Sequence, residues 1–180
     1  MGLGGIWPKM CEVKMKKAPT KTKHYVFKIT PQTHVRATQG DRILFRIPEE
    51  RRSEASKKRV NRLIKYNEYK VALSALAKKQ RFVLPDSGSI IRFFIPMPKS
   101  WRNKEREANV NKLHRKKPDL DNLLKAMLDS LFIEDKTVSH LGEVSKYWVD
   151  SEKGWIEVIT KEHTPCVIDN PYKKSGGNIK

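Results

Sequence analysis

The chain has 180 residues and a mass of 20.9 kDa, which is long enough for one domain with a modest hydrophobic core. It carries 38 lysines and arginines against 20 aspartates and glutamates, so its net charge is +18, and 38% of its residues are hydrophobic. This composition excludes a fibrous or membrane-embedded chain and favours a soluble protein with a polyanionic partner. Nucleic acid is the leading candidate, and an anionic membrane surface or a ribosomal assembly are the alternatives.

Two cysteines are present, Cys11 and Cys166, with neither CxxC spacing nor a histidine at metal-binding distance in the sequence. We therefore expect reduced thiols, and neither a disulfide framework nor a zinc site. The N-terminus lacks the apolar run of a signal peptide, and no stretch approaches the roughly 20 apolar residues of a membrane span. The expected location is the cytoplasm, without a membrane partner.

The first half of the chain is predicted to contain two strands and a long helix. A flexible basic arm is expected over residues 1–23 and a disordered basic tail over 164–180, which leaves residues 24–163 as the single domain. Strands are predicted at His24–Ile29 and Asp41–Ile47, because both are rich in β-branched and aromatic residues and a proline follows each. Residues 54–80 contain neither glycine nor proline and predict a helix, with apolar residues at helical steps: Leu63, Tyr66, Tyr69, Leu73 and Leu76.

The second half is predicted to alternate strand, basic loop, helix and strands. Residues 89–95 read as a buried strand, and a strongly basic loop extends from Lys99 to Lys117. Leucines and a methionine at helical spacing predict a helix from Leu120 to about Phe132. Residues 144–149 and 155–160 are expected to pair through a glycine-containing hairpin loop. These elements predict an α/β protein of the α+β kind, in which a single small mixed β-sheet packs with two main helices.

The segment most informative about chemistry surrounds Pro118, where the second helix begins. Asp119 is expected to be still extended and Asp121 to lie in the first helical turn, so that the two carboxylates can point towards one place. Asp121, Lys125 and Asp129 follow at i, i+4 and i+8 and form a polar stripe away from the apolar face.

Two interpretations of these acids remain open. An aspartate at a helix start is commonly an N-cap or a partner of the helix dipole, and Asp121 with Lys125 can be a simple exposed ion pair. Alternatively, if the chain folds back so that Asp135 meets Asp119 and Asp121, three carboxylates could hold Mg²⁺. The position of the acids directly after a run of cations favours a bridging metal ion. Either Lys125 or Lys146 could stabilise negative charge on a phosphate.

From Pro96 to Lys146 the chain resembles the RusA-like Holliday-junction resolvases of bacteria and prophages. Pro98-Lys-Ser-Trp101 resembles the family's P-x-S-W segment. His114 and Lys117-Pro-Asp-Leu-Asp-Asn-Leu-Leu-Lys125 resemble its central H-x-x-[KR]-P-D-x-D-N-x-x-K signature. A helix aspartate, an acidic pair and a strand lysine of the family are matched in order by Asp129, Glu134-Asp135 and Lys146.

The resemblance implies an endodeoxyribonuclease that resolves four-way DNA junctions symmetrically in recombination and repair, as an intertwined homodimer. It implies Mg²⁺, with Mn²⁺ as a substitute, and no small-molecule cofactor. Asp119, Asp121 and Asp135 would be the metal ligands, and Lys125 the catalytic lysine. The expected DNA contacts are Lys99, Trp101, Arg102, Lys104, Arg106, His114, Lys116, Lys117 and Lys146.

Physical considerations bear on parts of this expectation. The two-fold symmetry of a four-way junction favours a homodimer, since two identical chains supply two related sites. Trp101 would either stack on an unpaired base or pack within the protein. Alternative functions are a flap- or fork-specific nuclease, a catalytically silent DNA- or RNA-binding module, and a ribosome-associated basic protein.

Overall fold

The computed structural model describes residues 22–85, 87–131, 138 and 140–161. The predicted arm and tail lie almost entirely outside these residues. The described part contains four strands and four α-helices, in the chain order β1 Thr22–Phe27, α1 Gln39–Arg46, α2 Glu54–Lys79, β2 Ser89–Pro96, α3 Asn103–Asn109, α4 Leu120–Leu131, β3 Leu141–Val149 and β4 Trp155–Lys161. None of these helices is long and apolar enough to cross a membrane.

The four strands form one mixed sheet in the order β1-β4-β2-β3. Strand β2 is parallel to β3 and antiparallel to β4, and β1 is antiparallel to β4. The prediction of a single small mixed sheet is therefore confirmed. The prediction that β3 and β4 pair as a hairpin is wrong, because the apolar strand β2 lies between them and pairs with both.

Gly154 explains how the chain passes from β3 to β4 across the end of β2. A Cβ at this position would collide with the carbonyl oxygen of Phe94 and would come within 3.0 Å of Pro31 and Pro96. Only glycine fits such a close backbone approach without displacing its neighbours. The connection therefore passes over the end of β2 and contacts it. In a hairpin, the chain would instead have turned back to pair with β3.

Residues 41–47, predicted to be a strand, belong instead to helix α1. Asp41 stands at the third position of the helix, and its Oδ2 accepts hydrogen bonds from the backbone nitrogen of Thr38 (2.6 Å) and from its hydroxyl (2.9 Å). The first of these bonds pairs the backbone N–H of the N-cap residue, as the acid at the third position does in a capping box. The capping interaction and an ion pair to Arg59 outweigh the β propensity of Ile43 and Phe45, which lie exposed on the helix surface.

The core lies between one face of the sheet and the helices α2 and α4. Both helices were predicted close to their observed bounds, since long apolar periodicity is a strong signal. Each contributes its apolar stripe, and the sheet contributes alternate residues: Leu73, Tyr69, Leu123, Met127, Phe27, Ile91, Phe93, Ile156 and Val158. The start of α4 is consequently held at the border of a well-packed core while its polar side faces solvent.

Candidate active site

The start of α4 presents two carboxylates to solvent. Asp119 immediately precedes the helix, and its carbonyl accepts a hydrogen bond from the backbone nitrogen of Leu123 at 3.2 Å. Asp121 lies in the first turn, and Lys125 lies one turn further on. All three charged side chains are exposed. Of the predicted catalytic set, the structure thus places Asp119, Asp121 and Lys125 on one short stretch of accessible surface.

The third predicted ligand, Asp135, and its neighbour Glu134 lie outside the described residues. Within the part of the chain that the structure describes, no group of three or more His, Cys, Asp or Glu side chains could hold a metal ion. Two exposed carboxylates are nevertheless a donor set that suits Mg²⁺, which is commonly bound through one or two carboxylates, waters and a phosphate. The residues present therefore fit a magnesium ion completed by further oxygen ligands.

Two other segments hold the start of α4 in place. From the loop after β1, the backbone nitrogen of His34 donates to the carbonyl of Asn122 at 3.0 Å. From β3, the ammonium of Lys146 donates to the carbonyl of Lys116 at 2.7 Å and to that of Pro118. The two aspartates thus project from a backbone that is fixed on both sides.

A second polar cluster lies on α4 two turns beyond Asp121. The hydroxyl of Tyr66 donates to Asp129 at 3.3 Å, and the His34 ring nitrogen Nε2 lies 3.2 Å from the same carboxylate oxygen. These side chains line a cavity of about 280 Å³, together with Arg42 and Lys70. Sequence reasoning noted Asp129 but missed His34 and Tyr66, because no local pattern links residues that meet only through the fold.

The predicted basic loop is more ordered than expected. It contains the short helix α3, and residues 111–114 then run antiparallel to the outer edge of β3. The backbone bonds of this pairing are Asn111 N to Trp148 O, Trp148 N to Lys112 O, and His114 N to Lys146 O, at 2.9 to 3.0 Å. The segment therefore covers the free edge of the sheet and leads the chain directly to Asp119.

Two of the predicted DNA contacts are packed against Trp148. The ring of Trp101 lies 4.9 Å from that of Trp148 and has the ammonium of Lys116 over it. Without DNA, the Trp101 ring is thus packed within the protein, and its stacking on an unpaired base stays a prediction. His114 is 3% exposed and its ring lies 3.7 Å from Trp148. Its imidazole is thus a core group in this structure and does not reach the surface.

His114 is also short of hydrogen-bond partners. Among the described residues neither of its ring nitrogens has one. Burial, followed by the nearby ammonium of Lys146, lowers the pKa of His114 below its ordinary value of 6.5, against a smaller opposing effect of nearby backbone groups of His114 and Lys116. The ring is therefore neutral at physiological pH and contributes no charge to the basic surface.

The other predicted DNA contacts in the segment before α4 are cations. One of them is bonded within the protein, and the others are exposed. Arg106 donates to Asp150 and also to the carbonyl of Pro98 at 3.3 Å, so its guanidinium holds α3 against the chain after β3. The exposed ones are Lys99, Arg102, Lys104, Lys116 and Lys117. We call these exposed side chains the cationic surface; in the sequence they run from beside Trp101 to two residues before Asp119.

The fold and this site define a small basic α+β protein in which two exposed carboxylates at the start of a helix follow a run of exposed cations, as suits a protein that acts on nucleic acid. A family model described as endodeoxyribonuclease RusA matches residues 46–158, well over half of the chain, and the chain therefore belongs to the RusA endodeoxyribonuclease family. Membership makes it an endonuclease of a family that acts on Holliday junctions. No curated protein matches the chain.

Proposed function

We propose that this protein is a Mg²⁺-dependent endonuclease that cuts four-way DNA junctions at two symmetry-related positions during recombination and repair. The observation that carries the proposal is the placement of Asp119 and Asp121 at the exposed start of α4, directly after a cationic segment anchored on β3. Acids in that position are poorly suited to approach a phosphate backbone unless a cation lies between them.

In this proposal the acids at the start of α4 and Lys125 have different roles in cleavage. Asp119 and Asp121 bind the metal ion, and Asp135 is the proposed third ligand. Held by these carboxylates, a divalent cation would supply an activated water and positive charge opposite the scissile phosphate. Lys125, exposed one helical turn from Asp121, is the group proposed to stabilise charge on the phosphate or on the leaving oxygen.

The cationic surface supplies affinity and orientation. Lys99, Arg102, Lys104 and Lys117 are exposed on the chain that leads to Asp119. Binding of phosphates to such residues releases counterions, so affinity for the junction falls as salt concentration rises. These contacts carry no sequence information, which suits recognition of a DNA shape.

A homodimer completes the proposal. A four-way junction has two-fold symmetry, and resolution requires two cuts related by it. One chain offers one pair of aspartates at one helix start, whereas two copies related by a two-fold axis offer two.

The test is a cleavage assay on a labelled four-way junction and on a linear duplex of the same sequence, with Mg²⁺ present. The wild type is expected to make paired symmetric nicks in the junction and to spare the duplex. Asp121→Asn is expected to bind the junction normally and to cut it about 100-fold more slowly or worse. The matched control is Glu68→Gln, which changes an exposed acid on α2 and should cut like the wild type.

Three other results would favour one of the alternative functions over junction cleavage. Faster cutting of flaps or forks than of junctions would replace the proposed substrate while keeping the site. Equal binding of junction and duplex without cutting by any variant would instead indicate a silent nucleic-acid-binding module. Preferential binding of ribosomal RNA would favour the ribosome-associated alternative.

A further inference from the structure

Lys146 holds the chain before α4 at three points. Its backbone carbonyl accepts a hydrogen bond from the nitrogen of His114 at 2.9 Å. Its ammonium donates to the carbonyl of Lys116 at 2.7 Å and to that of Pro118. One residue of β3 therefore fixes the path of residues 114–118 through both its main chain and its side chain.

The backbone from which the Lys146 side chain extends is held firmly in the sheet. Lys146 lies in the middle of β3, in register with the fully buried Phe93 of β2. The backbone of Trp148, two residues further along β3, is bonded to Asn111 and Lys112. Because the backbone of Lys146 is already fixed, the contact costs only the rotamer entropy of its side chain, and two hydrogen bonds from a charged donor offset that cost.

The contact acts directly on the candidate metal site. The Pro118 carbonyl that Lys146 binds belongs to the peptide group that carries the nitrogen of Asp119. A lysine ammonium has three donors, and two of them are used on these carbonyls. The backbone by which the chain enters α4 at Asp119 is thus held from β3.

We propose that Lys146 is a positioning residue for Asp119, and that its main task is to hold this metal ligand in place while other cations contact DNA phosphates. The inference rests on the proposed function of Asp119 as a metal ligand. It differs from the role expected from the sequence, which counted Lys146 among the DNA contacts. The two roles make opposite predictions for metal affinity and for the salt dependence of DNA binding.

The experiment compares Lys146→Met and Lys146→Gln with Lys117→Met, which removes an exposed cation from the same segment. Mn²⁺ binding is measured by calorimetry without DNA, and junction binding is measured without metal ions between 50 and 200 mM salt. Lys146→Met is expected to weaken Mn²⁺ binding by about 10-fold, the usual effect of losing a group that orients a metal ligand, and to leave the salt slope unchanged. Lys117→Met should lower the salt slope by about 1 and leave Mn²⁺ binding unchanged.

Lys146→Gln covers the possibility that the methionine variant does not fold. The glutamine amide keeps a neutral donor that can hold one carbonyl, so the positioning role predicts Mn²⁺ affinity between those of the wild type and Lys146→Met, with the wild-type salt slope. If either variant lowers the salt slope by about 1 while Mn²⁺ affinity stays at the wild-type value, Lys146 is a phosphate contact and the proposal is overturned.

Amide hydrogen exchange separates this inference from the proposed function. Faster exchange at residues 115–121 in Lys146→Met than in the wild type supports positioning, even if the wild type binds no metal ion and cuts no DNA, in which case the proposed function alone fails. Unchanged exchange across these residues would overturn the positioning role even in an active enzyme.

Discussion

Arg59 and Asp41 form a two-point ion pair that joins α1 to α2. Arg59 Nε donates to one carboxylate oxygen and Nη2 to the other, each at 2.8 Å, and Nη2 also reaches the carbonyl of Arg36 at 3.0 Å. The hydrogen bonds from Arg59, and then that from the backbone of Thr38, hold the pKa of Asp41 well below its ordinary value of 3.8. The pair therefore stays ionised throughout the neutral and mildly acidic range.

Removal of the Arg59 side chain should loosen α1 in a pH-dependent way. We expect Arg59→Met to lower the thermal unfolding midpoint at pH 7, because it leaves the carboxylate of Asp41 without its main partner. Since the folded-state pKa of Asp41 is depressed, the stability from the pair is fully present above about pH 4 and is lost as the pH falls towards the folded-state value. Arg62→Met, an exposed neighbour on α2, serves as the control. A midpoint deficit that stays constant down to pH 2 would contradict this account.

His114 should be replaceable by an apolar ring. Because both of its buried ring nitrogens lack partners among the described residues, we expect His114→Phe to be within about 1 kcal/mol of the wild type at pH 7, or more stable. The pKa of His114 is lowered on folding, so its protonation favours the unfolded chain and the wild type loses stability as the pH falls below 6.5. The variant lacks this loss, and denaturant unfolding at pH 7 and pH 5 should show its advantage growing. A large penalty at both pH values would mean that the imidazole has a partner.

Charge reversal should separate the two kinds of cation in the segment before α4. Lys104→Glu should weaken junction binding and reduce its salt slope by about 1 or more, with unchanged thermal stability, because the side chain is exposed. Arg106→Glu should also lower thermal stability, since it places two acids together where Arg106 now pairs with Asp150. Junction binding titrations and melting curves on both variants make the comparison. Identical melting curves would show that the pair with Asp150 does not stabilise the fold.

The elements that could be predicted from the sequence are those whose signal is local and long. Helices α2 and α4 follow from apolar periodicity over many residues, and the position of Asp119 at a helix start follows from Pro118. Residues 41–47 were assigned from residue type alone, although Thr38 and Asp41 stand at the spacing of a capping box. Their helical state also depends on Arg59, which lies 18 residues further along the chain.

Other features depend on which distant segments meet, and no local pattern contains that information. The five-residue connection between β3 and β4 is typical of a hairpin, and only the insertion of β2 makes the pairing different. The contact of Tyr66 with Asp129 spans 63 residues and has no sequence signature. Likewise, the charge of Lys146 indicated that its ammonium binds a phosphate of the substrate. In the folded protein the ammonium donates to two backbone carbonyls.

The strand order also has a consequence for synthesis of the chain on the ribosome. Of the described strands β1 is the first to emerge, yet its one neighbour among them is β4, the last, and the His24 ring contacts the Glu157 carboxylate 133 positions later. Strand β4 is also the antiparallel neighbour of β2. Two of the three strand pairings in the described sheet must therefore wait for β4, so the nascent chain carries open strand edges until translation of the domain is nearly complete.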